Sequence, residues 1–333
     1  MFHNTYKGLR VLVTGHTGFK GSWLCAWLSD LGAVVAGYSM NVPTKPSHFD
    51  ALRLSDRIEH FSGDIRDKSS LQQLITSFRP NIVFHLAAQS LVRKSYEDPL
   101  QTFETNALGT LNLLNCLRDQ PSVIAAVIIT SDKCYENVEW MWGYRENDRL
   151  GGKDPYSASK ACAELISNVY MQSFFEEKEP HIATTRAGNV IGGGDWALDR
   201  IVPDCVKAWS KEKSVLIRNP NATRPWQHVL EPLSGYLILG QKLFQGELSL
   251  KNQSFNFGPQ TTVNQSVCDL VTGISKYWPK AKWEFKQEID PNKTESTLLK
   301  LNCDKALHHL SWQAILSTSE AIDFTSKWYK SLM

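Results

Sequence analysis

The sequence predicts an α/β protein: a doubly wound parallel sheet with a smaller mixed α/β region in its C-terminal half. Three observations carry this expectation. Six short apolar runs, at 9–13, 34–38, 58–61, 82–86, 125–130 and 182–186, alternate with helix-length amphipathic segments, which is the βαβ rhythm of a parallel sheet. The first run enters a turn with glycine at positions 15, 18 and 21. After Arg186 the rhythm loosens into Gly188, Gly192, Gly193 and Gly194, with prolines at 203, 220, 225, 232 and 259, and a second region is expected to begin there.

Each element has a local reason. The first strand ends at Thr14, three glycines turn the chain without side-chain obstruction, and a helix starts at about Lys20 with its free N–H groups facing outward. Such a helix start binds a pyrophosphate, so the turn reads as a dinucleotide site. Its contacts are expected from Gly15, His16, Thr17, Gly18, Phe19, Lys20 and Gly21. The spacing is G-x-x-G-x-x-G, wider than the ordinary G-x-G-x-x-G fingerprint. The second run ends Ala36-Gly37-Tyr38-Ser39, without the acidic residue that usually binds the adenosine ribose. With bulky His16 and Lys20 in the turn, this predicts that added cofactor is needed for full activity. The third run leads to Asp64-Ile65, where Asp64 could accept a hydrogen bond from an adenine amino group.

Ser69 and Gln72 form a capping-box pattern for the next helix, and Asp98-Pro99 places a cap before a favoured first proline. The fourth run closes with His85-Leu86-Ala87-Ala88-Gln89, where small alanines admit a cofactor and His85 reads as structural. Asn106 reads as a packing or capping residue. The segment 232–244 carries an apolar stripe that could return to the sheet. The expected division is 1–187, with a returning segment near 229–257, for the dinucleotide, and 188–333 mainly for the substrate.

Composition narrows the function. The 333 residues are 42% hydrophobic and 21% charged with a net charge of +2, so neither a basic nucleic-acid surface nor a membrane span is expected. Seven scattered cysteines without C-x-x-C spacing suggest neither a disulfide framework nor a zinc site, and no metal is expected. A soluble protein of the reducing cytoplasm fits best. The eleven tryptophans read mainly as core and interface packing.

Chemistry concentrates at two places. Tyr156 and Lys160 lie four apart in a segment that reads helical to about Phe175, so both project from one face. A nearby ammonium favours the phenolate, and Tyr156 could take a proton from a hydroxyl as hydride leaves the same carbon. The second place is the end of the fifth run, Thr130-Ser131-Asp132-Lys133-Cys134-Tyr135. Ser131 can hold the reacting hydroxyl toward Tyr156. Asp132 and Lys133 add an acid and a base that simple dehydrogenation does not need; the alternative is a solvated ion pair. Arg224, in Thr223-Arg224-Pro225-Trp226-Gln227-His228, suits a diphosphate or is a surface arginine.

Taken together, these blocks resemble the extended short-chain dehydrogenase/reductases that modify nucleotide sugars, and the likeness runs end to end. More narrowly, the glycine turn with Ser22-Trp23, the block 130–135, the block 186–196 and the block 224–229 resemble the CDP-glucose 4,6-dehydratase family. The resemblance implies a Rossmann domain binding NAD, and Ser131, Asp132, Lys133, Tyr156 and Lys160 as catalytic residues. It also implies cofactor contacts from Asp64, Ile65, Leu86, Ala87 and Ala88, and substrate contacts from Gln89, Asn189, Arg200 and Arg224. The reaction implied is oxidation of carbon 4 of CDP-glucose, loss of water across carbons 5 and 6, and return of hydride to carbon 6. Asp132 would protonate the departing hydroxyl, and Lys133 would stand where related dehydratases carry a glutamate base. A lysine serves as a base only when neutral, a form that burial or neighbouring positive charge favours.

Relatives of this kind imply a homodimer or homotetramer formed through helices equivalent to 99–117 and 156–175, with products that feed deoxysugars into lipopolysaccharide O-antigen. Two other functions fit the same fold. A nucleotide-sugar epimerase would share NAD, Tyr156 and Lys160 but has no need of Asp132-Lys133 to expel water. A non-catalytic dinucleotide sensor would need only the glycine turn. NADP is a possible cofactor at Ser39, where no acid would repel its extra phosphate.

Overall fold

The first strand, β1 (Arg10–Thr14), is buried on both faces, with Val11 and Val13 packed into one apolar layer and Leu12 into the other. Burial on both sides is what a central parallel strand requires. A computed structural model describes residues 2–217, 219–260, 263, 265–285 and 298–332. After β1 come α1 (Phe19–Asp30), β2 (Val34–Ser39), a short α2 (His48–Ala51), β3 (Glu59–Ser62), α3 (Lys68–Phe78) and β4 (Ile82–His85). There follow α4 (Val92–Glu97), α5 (Pro99–Phe103), α6 (Gly109–Leu117), β5 (Ala125–Ile129), α7 (Pro155–Phe174) and β6 (His181–Ala187). Each of these six strands lies within one residue, at either end, of the apolar run that predicts it.

Two local expectations need correction. The cap of α3 is Asp67, whose carboxylate accepts from the Ser69 and Ser70 amides at 3.0 and 3.1 Å, so Ser69 lies inside the helix. The segment 99–117 is not one α-helix: a π-turn, Glu104–Leu108, separates α5 from α6. That turn carries the buried Asn106 toward α7, where its amide donates to Ser159 Oγ at 2.9 Å, and such bulges commonly mark functional sites. The cap before Pro99 is Asp98, accepting from the Gln101 amide at 2.9 Å.

Beyond β6 the elements are short: β7 (Val190–Ile191), α8 (Ile201–Trp209), β8 (Ser214–Ile217), β9 (Thr223–Arg224) and β10 (Gln227–His228). Then come α9 (Leu230–Phe244), β11 (Gln253–Phe257), β12 (Gln265–Ser266), α10 (Val267–Ser275), β13 (Lys282–Phe285), α11 (Asp304–Leu310) and α12 (Thr318–Leu332). The main sheet has the order β11-β6-β5-β4-β1-β2-β3, with every pairing parallel. Strand order reverses between β1 and β4, which opens a crevice at their carboxyl ends.

One apolar layer joins the sheet to α1, α9 and α11 through Leu24, Leu28, Leu233, Leu237 and Leu310. The opposite layer holds Leu71, Ile75, Leu113 and Met171 from α3, α6 and α7. A third core lies outside the sheet, where Trp196, Trp209, Trp226 and Trp278 pack with Tyr329. Of the eleven tryptophans only Trp140 and Trp142 are exposed, so the expected packing role holds. All seven cysteines are free thiols. Among the described residues no helix is long and apolar enough to cross a membrane, and no cluster of side chains is arranged to hold a metal ion.

Candidate active site

The glycine turn is shaped by close backbone packing. Gly15 has φ +74°, and a Cβ there would lie 2.6 Å from the Ala87 nitrogen and 2.7 Å from the Leu86 carbonyl carbon. At Gly21 a Cβ would sit 2.2 Å from the Gly15 oxygen. Gly18 is the N-cap of α1 and makes no side-chain cap, which leaves the first helical N–H groups for an external acceptor. Leu86 and Ala87 close the turn from the β4 side through the Thr14 carbonyl and hydroxyl at 3.0 and 3.2 Å, and Ala88 follows them at the crevice edge. His85 bridges Thr14 at 2.7 Å and Thr110 at 3.1 Å. Burial, with a smaller push from Lys160, lowers it to about 3 and keeps it neutral.

The other turn residues diverge. His16 turns its ring away from the helix start, over Gly37, to meet Ser39 Oγ at 2.9 Å and His60 Nδ1 at 2.6 Å. Both ring nitrogens are thus engaged, by Ser39 at the end of β2 and by His60 on β3. Thr17 donates to the Asn41 carbonyl at 2.6 Å, and Phe19 lies under Gly192. Lys20 faces the opposite way, into the crevice. Burial first, then the Arg200 charge, lowers its ammonium to about 8, while Asp132 and Asp195 oppose that drop. Asp64 lies beyond β3, paired with Arg66 at 2.7 Å, and Ile65 packs against Gly109.

Helix α7 starts at Asp154, whose carboxylate accepts from the Ser157 amide at 2.9 Å, with Pro155 in the first turn. The Tyr156 amide donates to Ser95 Oγ at 3.1 Å, which fixes the helix entry against α4. Tyr156 and Lys160 are both buried on the sheet side. Burial lifts the phenol to about 12, and the nearby Ser131 hydroxyl and the Arg200 charge oppose the rise. Burial lowers the Lys160 ammonium to about 8.

At the end of β5, Ser131 caps a 3₁₀ turn, Asp132–Cys134. Its hydroxyl donates to Asp132 Oδ1 at 3.0 Å and accepts from the Lys133 amide at 3.3 Å. Asp132 is buried. Desolvation raises its carboxyl, against the neighbouring Lys133, Ser131, Lys20 and Arg224. Gly188 gives it room, since a Cβ there would stand 3.2 Å from Asp132 Oδ2. Lys133 is half-buried beside it.

The expected substrate residues fare differently. Arg200, just before α8, pairs with Asp195 at 2.9 Å and lies within electrostatic reach of Tyr156 and Lys20. Arg224 on β9 lies near Asp132. Asn189 accepts from the Gln227 amide at 3.2 Å, which ties the β6 exit to β10. The Gln89 side chain is spent locally: its amide donates to Leu91 O and Thr102 Oγ1 at 3.0 and 3.1 Å, and its oxygen accepts from the Leu91 amide at 2.7 Å. These bonds brace the loop after β4 against α5. Asn106 holds that loop from below, accepting from the Gln89 amide and donating to its carbonyl at 2.8 and 3.0 Å.

A proton acceptor with an ammonium, a serine beside it and an acid–lysine turn thus share one crevice with a helix-start anion site. A family model described as GDP-mannose 4,6 dehydratase matches residues 12–325. The chain belongs to that family. The CDP-glucose 4,6-dehydratase of Salmonella typhimurium is a relative of this GDP-mannose 4,6-dehydratase family member, 47% identical over 98% of this chain and 92% of its own. A UDP-glucose 4-epimerase of Mycoplasma genitalium is 23% identical over 97% of this chain and 96% of its own. Among solved structures, epimerase Mth375 from Methanothermobacter thermautotrophicus matches with TM-score 0.85 and 24% identity, covering 99% of this chain and 94% of that one. The dTDP-glucose 4,6-dehydratase of Bacillus anthracis, in complex with NAD, matches with TM-score 0.81 and 19% identity over 97% of each chain. Those two structures show that the family member has their fold.

Proposed function

We propose that the chain dehydrates CDP-glucose to CDP-4-keto-6-deoxyglucose with a bound NAD that is regenerated in each turnover. The observation that carries this reading is the buried Asp132 beside Lys133 in the same crevice as Ser131, Tyr156 and Lys160. The 47% identity to a CDP-glucose 4,6-dehydratase supports the choice of nucleotide sugar, and NAD in the solved dehydratase supports the cofactor.

The residues present fit NAD. A Cβ on Gly18 would meet only the Gly15 oxygen, at 3.3 Å, among the described residues, and the start of α1 carries no side-chain cap, so its N–H groups suit a pyrophosphate. The turn 15–21 and residues 86–88 would hold the pyrophosphate and nicotinamide half, and Asp64 and Ile65 the adenine. A bound NAD would supply the hydride acceptor for carbon 4 and, once reduced, the hydride donor for carbon 6.

The remaining work falls to side chains. Tyr156 takes the proton from the carbon 4 hydroxyl while Ser131 holds that oxygen, and the Lys160 charge favours the phenolate. The new ketone acidifies carbon 5, from which Lys133 removes a proton. Asp132 donates its proton to the departing carbon 6 oxygen; its raised carboxyl suits a donor. Arg224 and Arg200 serve the diphosphate and the sugar, with Asn189 beside them. On this reading residues 1–187 and 229–257 hold the cofactor, and most of 188–333 holds the substrate. Leu100, Leu108, Leu165 and Val169 are all half-exposed or more, which supports pairing of two chains through α5, α6 and α7 as a dimer or a dimer of dimers. Free cysteines favour the cytoplasm, and the product suits deoxysugar supply to a lipopolysaccharide O-antigen.

The test is to incubate purified protein with CDP-glucose and added NAD, alongside dTDP-glucose and GDP-mannose, and follow product mass. Loss of one water from CDP-glucose alone is the expected result. An isomer of unchanged mass would make the protein an epimerase, and NAD binding without turnover would make it a sensor.

A further inference from the structure

Beneath the crevice lies a carboxylate that the reaction has not used. Glu164 follows Tyr156 by eight residues and Lys160 by four on α7, so the three share one helix face. Glu164 and Arg186 form an ion pair at 2.8 Å, with side chains only 2% and 3% exposed. The same carboxylate accepts from Thr184 Oγ1 at 2.9 Å and from the hydroxyl of Thr130, the residue immediately before Ser131. Arg186 continues to the Tyr135 hydroxyl at 2.7 Å and the Glu146 carbonyl at 2.9 Å. Tyr135 in turn donates to Asn256 Oδ1 at 2.8 Å. One side chain therefore ties the ends of β5 and β6 to the catalytic helix, and β11 through Asn256.

Buried ion pairs are poor stabilisers, because desolvation of both charges offsets much of their attraction. An apolar contact would hold strand to helix as well. A carboxylate at this position does two things that an apolar contact could not. It accepts a hydrogen bond from the Thr130 hydroxyl, which among the described residues otherwise has only the Thr185 carbonyl at 3.1 Å, and it keeps a negative charge one helical turn from the ammonium beside Tyr156. We propose that Glu164 is a positioning residue for the reaction, fixing the Thr130–Ser131 strand end so that the Ser131 and Tyr156 hydroxyls meet, and placing a permanent charge behind Lys160. The assignment rests on the dehydratase reading above.

The electrostatics agree. Burial pushes the Glu164 carboxyl up, but Arg186 and the two threonine hydroxyls outweigh it and hold the group ionised. The titratable groups facing Lys160 are Glu164 on its own helix, Cys134 on the turn after β5, His85 at the end of β4, Lys20 on α1 and Tyr156. His85 is neutral and Lys20 is positive, and the Cys134 thiol is pushed well up by burial. Cys134 and Glu164 both oppose desolvation of the Lys160 ammonium, and with the thiol kept protonated by burial, Glu164 is the one of the two that carries a charge.

The experiment compares Thr130→Val, Thr130→Ser and Glu164→Gln with the wild type, each as purified protein with CDP-glucose and saturating NAD. Melting temperature, KM, kcat and the pH profile of kcat are read for each. Thr130→Val keeps the ion pair and removes one hydroxyl. It is expected to lower kcat by about tenfold with little change in KM, since small misplacements of reacting groups carry penalties of this size. Its pH profile should not move, and Thr130→Ser should restore kcat. Glu164→Gln should lower kcat and also move the alkaline limb to lower pH by about one unit, as loss of a nearby opposite charge does. If Glu164→Gln does not fold, the threonine pair decides alone. Folded Thr130→Val with wild-type kcat overturns the proposal, as does Glu164→Gln that loses thermal stability but keeps its rate and pH profile. Absence of dehydration by the wild type would overturn the parent reading before the variants are compared.

Discussion

His16 lies across the end of the sheet with Nδ1 2.9 Å from the Ser39 hydroxyl, while its Nε2 stands 2.6 Å from His60. The position at the end of β2 that could offer a ribose a carboxylate offers a hydroxyl already engaged. A missing charge-assisted hydrogen bond is worth about 1.5–3 kcal/mol, or roughly ten- to a hundredfold in affinity. Purified protein is therefore expected to gain activity when NAD is added; the choice of NAD as the cofactor separately requires that calorimetric titrations show it bound more tightly than NADP. Undiminished activity without added NAD, or tighter binding of NADP, would contradict this.

The two later glycines of the turn should fail differently. A Cβ at Gly21 would overlap the Gly15 oxygen at 2.2 Å, whereas one at Gly18 meets a single atom at 3.3 Å. Gly21→Ala is expected to lower the melting temperature by several degrees, the effect of about 1–3 kcal/mol of overpacking. Gly18→Ala should melt near the wild type and lose NAD affinity. Equal thermal loss in both variants would show that Gly18 is also needed for packing.

Elimination should depend on Lys133 in a way that cofactor binding does not. Lys133→Ala is expected to bind NAD normally and to form no dehydrated product. Normal turnover by that variant would remove Lys133 from the reaction.

Four buried histidines make acid stability predictable. Burial lowers His16, His48 and His228 to about 4 and His85 to about 3, all from an ordinary 6.5. Because the unfolded chain takes up these protons first, the stability is complete above pH 6.5 and is lost as pH falls toward 4. For each such histidine the loss is about 1.4 kcal/mol per pH step below its unfolded value. Melting temperature should therefore fall steadily from pH 6.5 to 4, and a flat profile in that window would contradict the buried, neutral assignment.

Assembly can be tested on one helix. Leu165 and Val169 lie four apart on α7, 53% and 57% exposed. Replacing both with glutamate should leave the fold intact and shift the sedimentation coefficient to that of a monomer. An unchanged sedimentation coefficient would place the subunit contact elsewhere.

The sequence alone determined what local physics governs. The central strands were legible because they are continuous apolar runs, the exposed edge strand β3 by its place in the alternating rhythm, and the glycine turn because its spacing suits a backbone that must pass close to other backbone. Tyr156 and Lys160 were legible as a pair because four residues make one helical turn. Caps were partly legible: Asp98 held, but the choice between Asp67 and Ser69 depended on how the chain left β3. Tertiary structure decided where polar side chains ended. It turned His16 toward Ser39 while Lys20 came within electrostatic reach of Arg200 and Asp132, and it engaged the Gln89 amide with Leu91 and Thr102. It also brought Tyr329, 134 residues away, to the Asp195 carbonyl, beside the pair that holds Arg200. Glu164 shows the same division: its place on the Tyr156 face follows from helical spacing, but its partners Thr184 and Arg186 come from β6 and Thr130 from the residue after β5. Periodicity fixes which face a residue occupies, and only packing of distant segments fixes which partner it meets there.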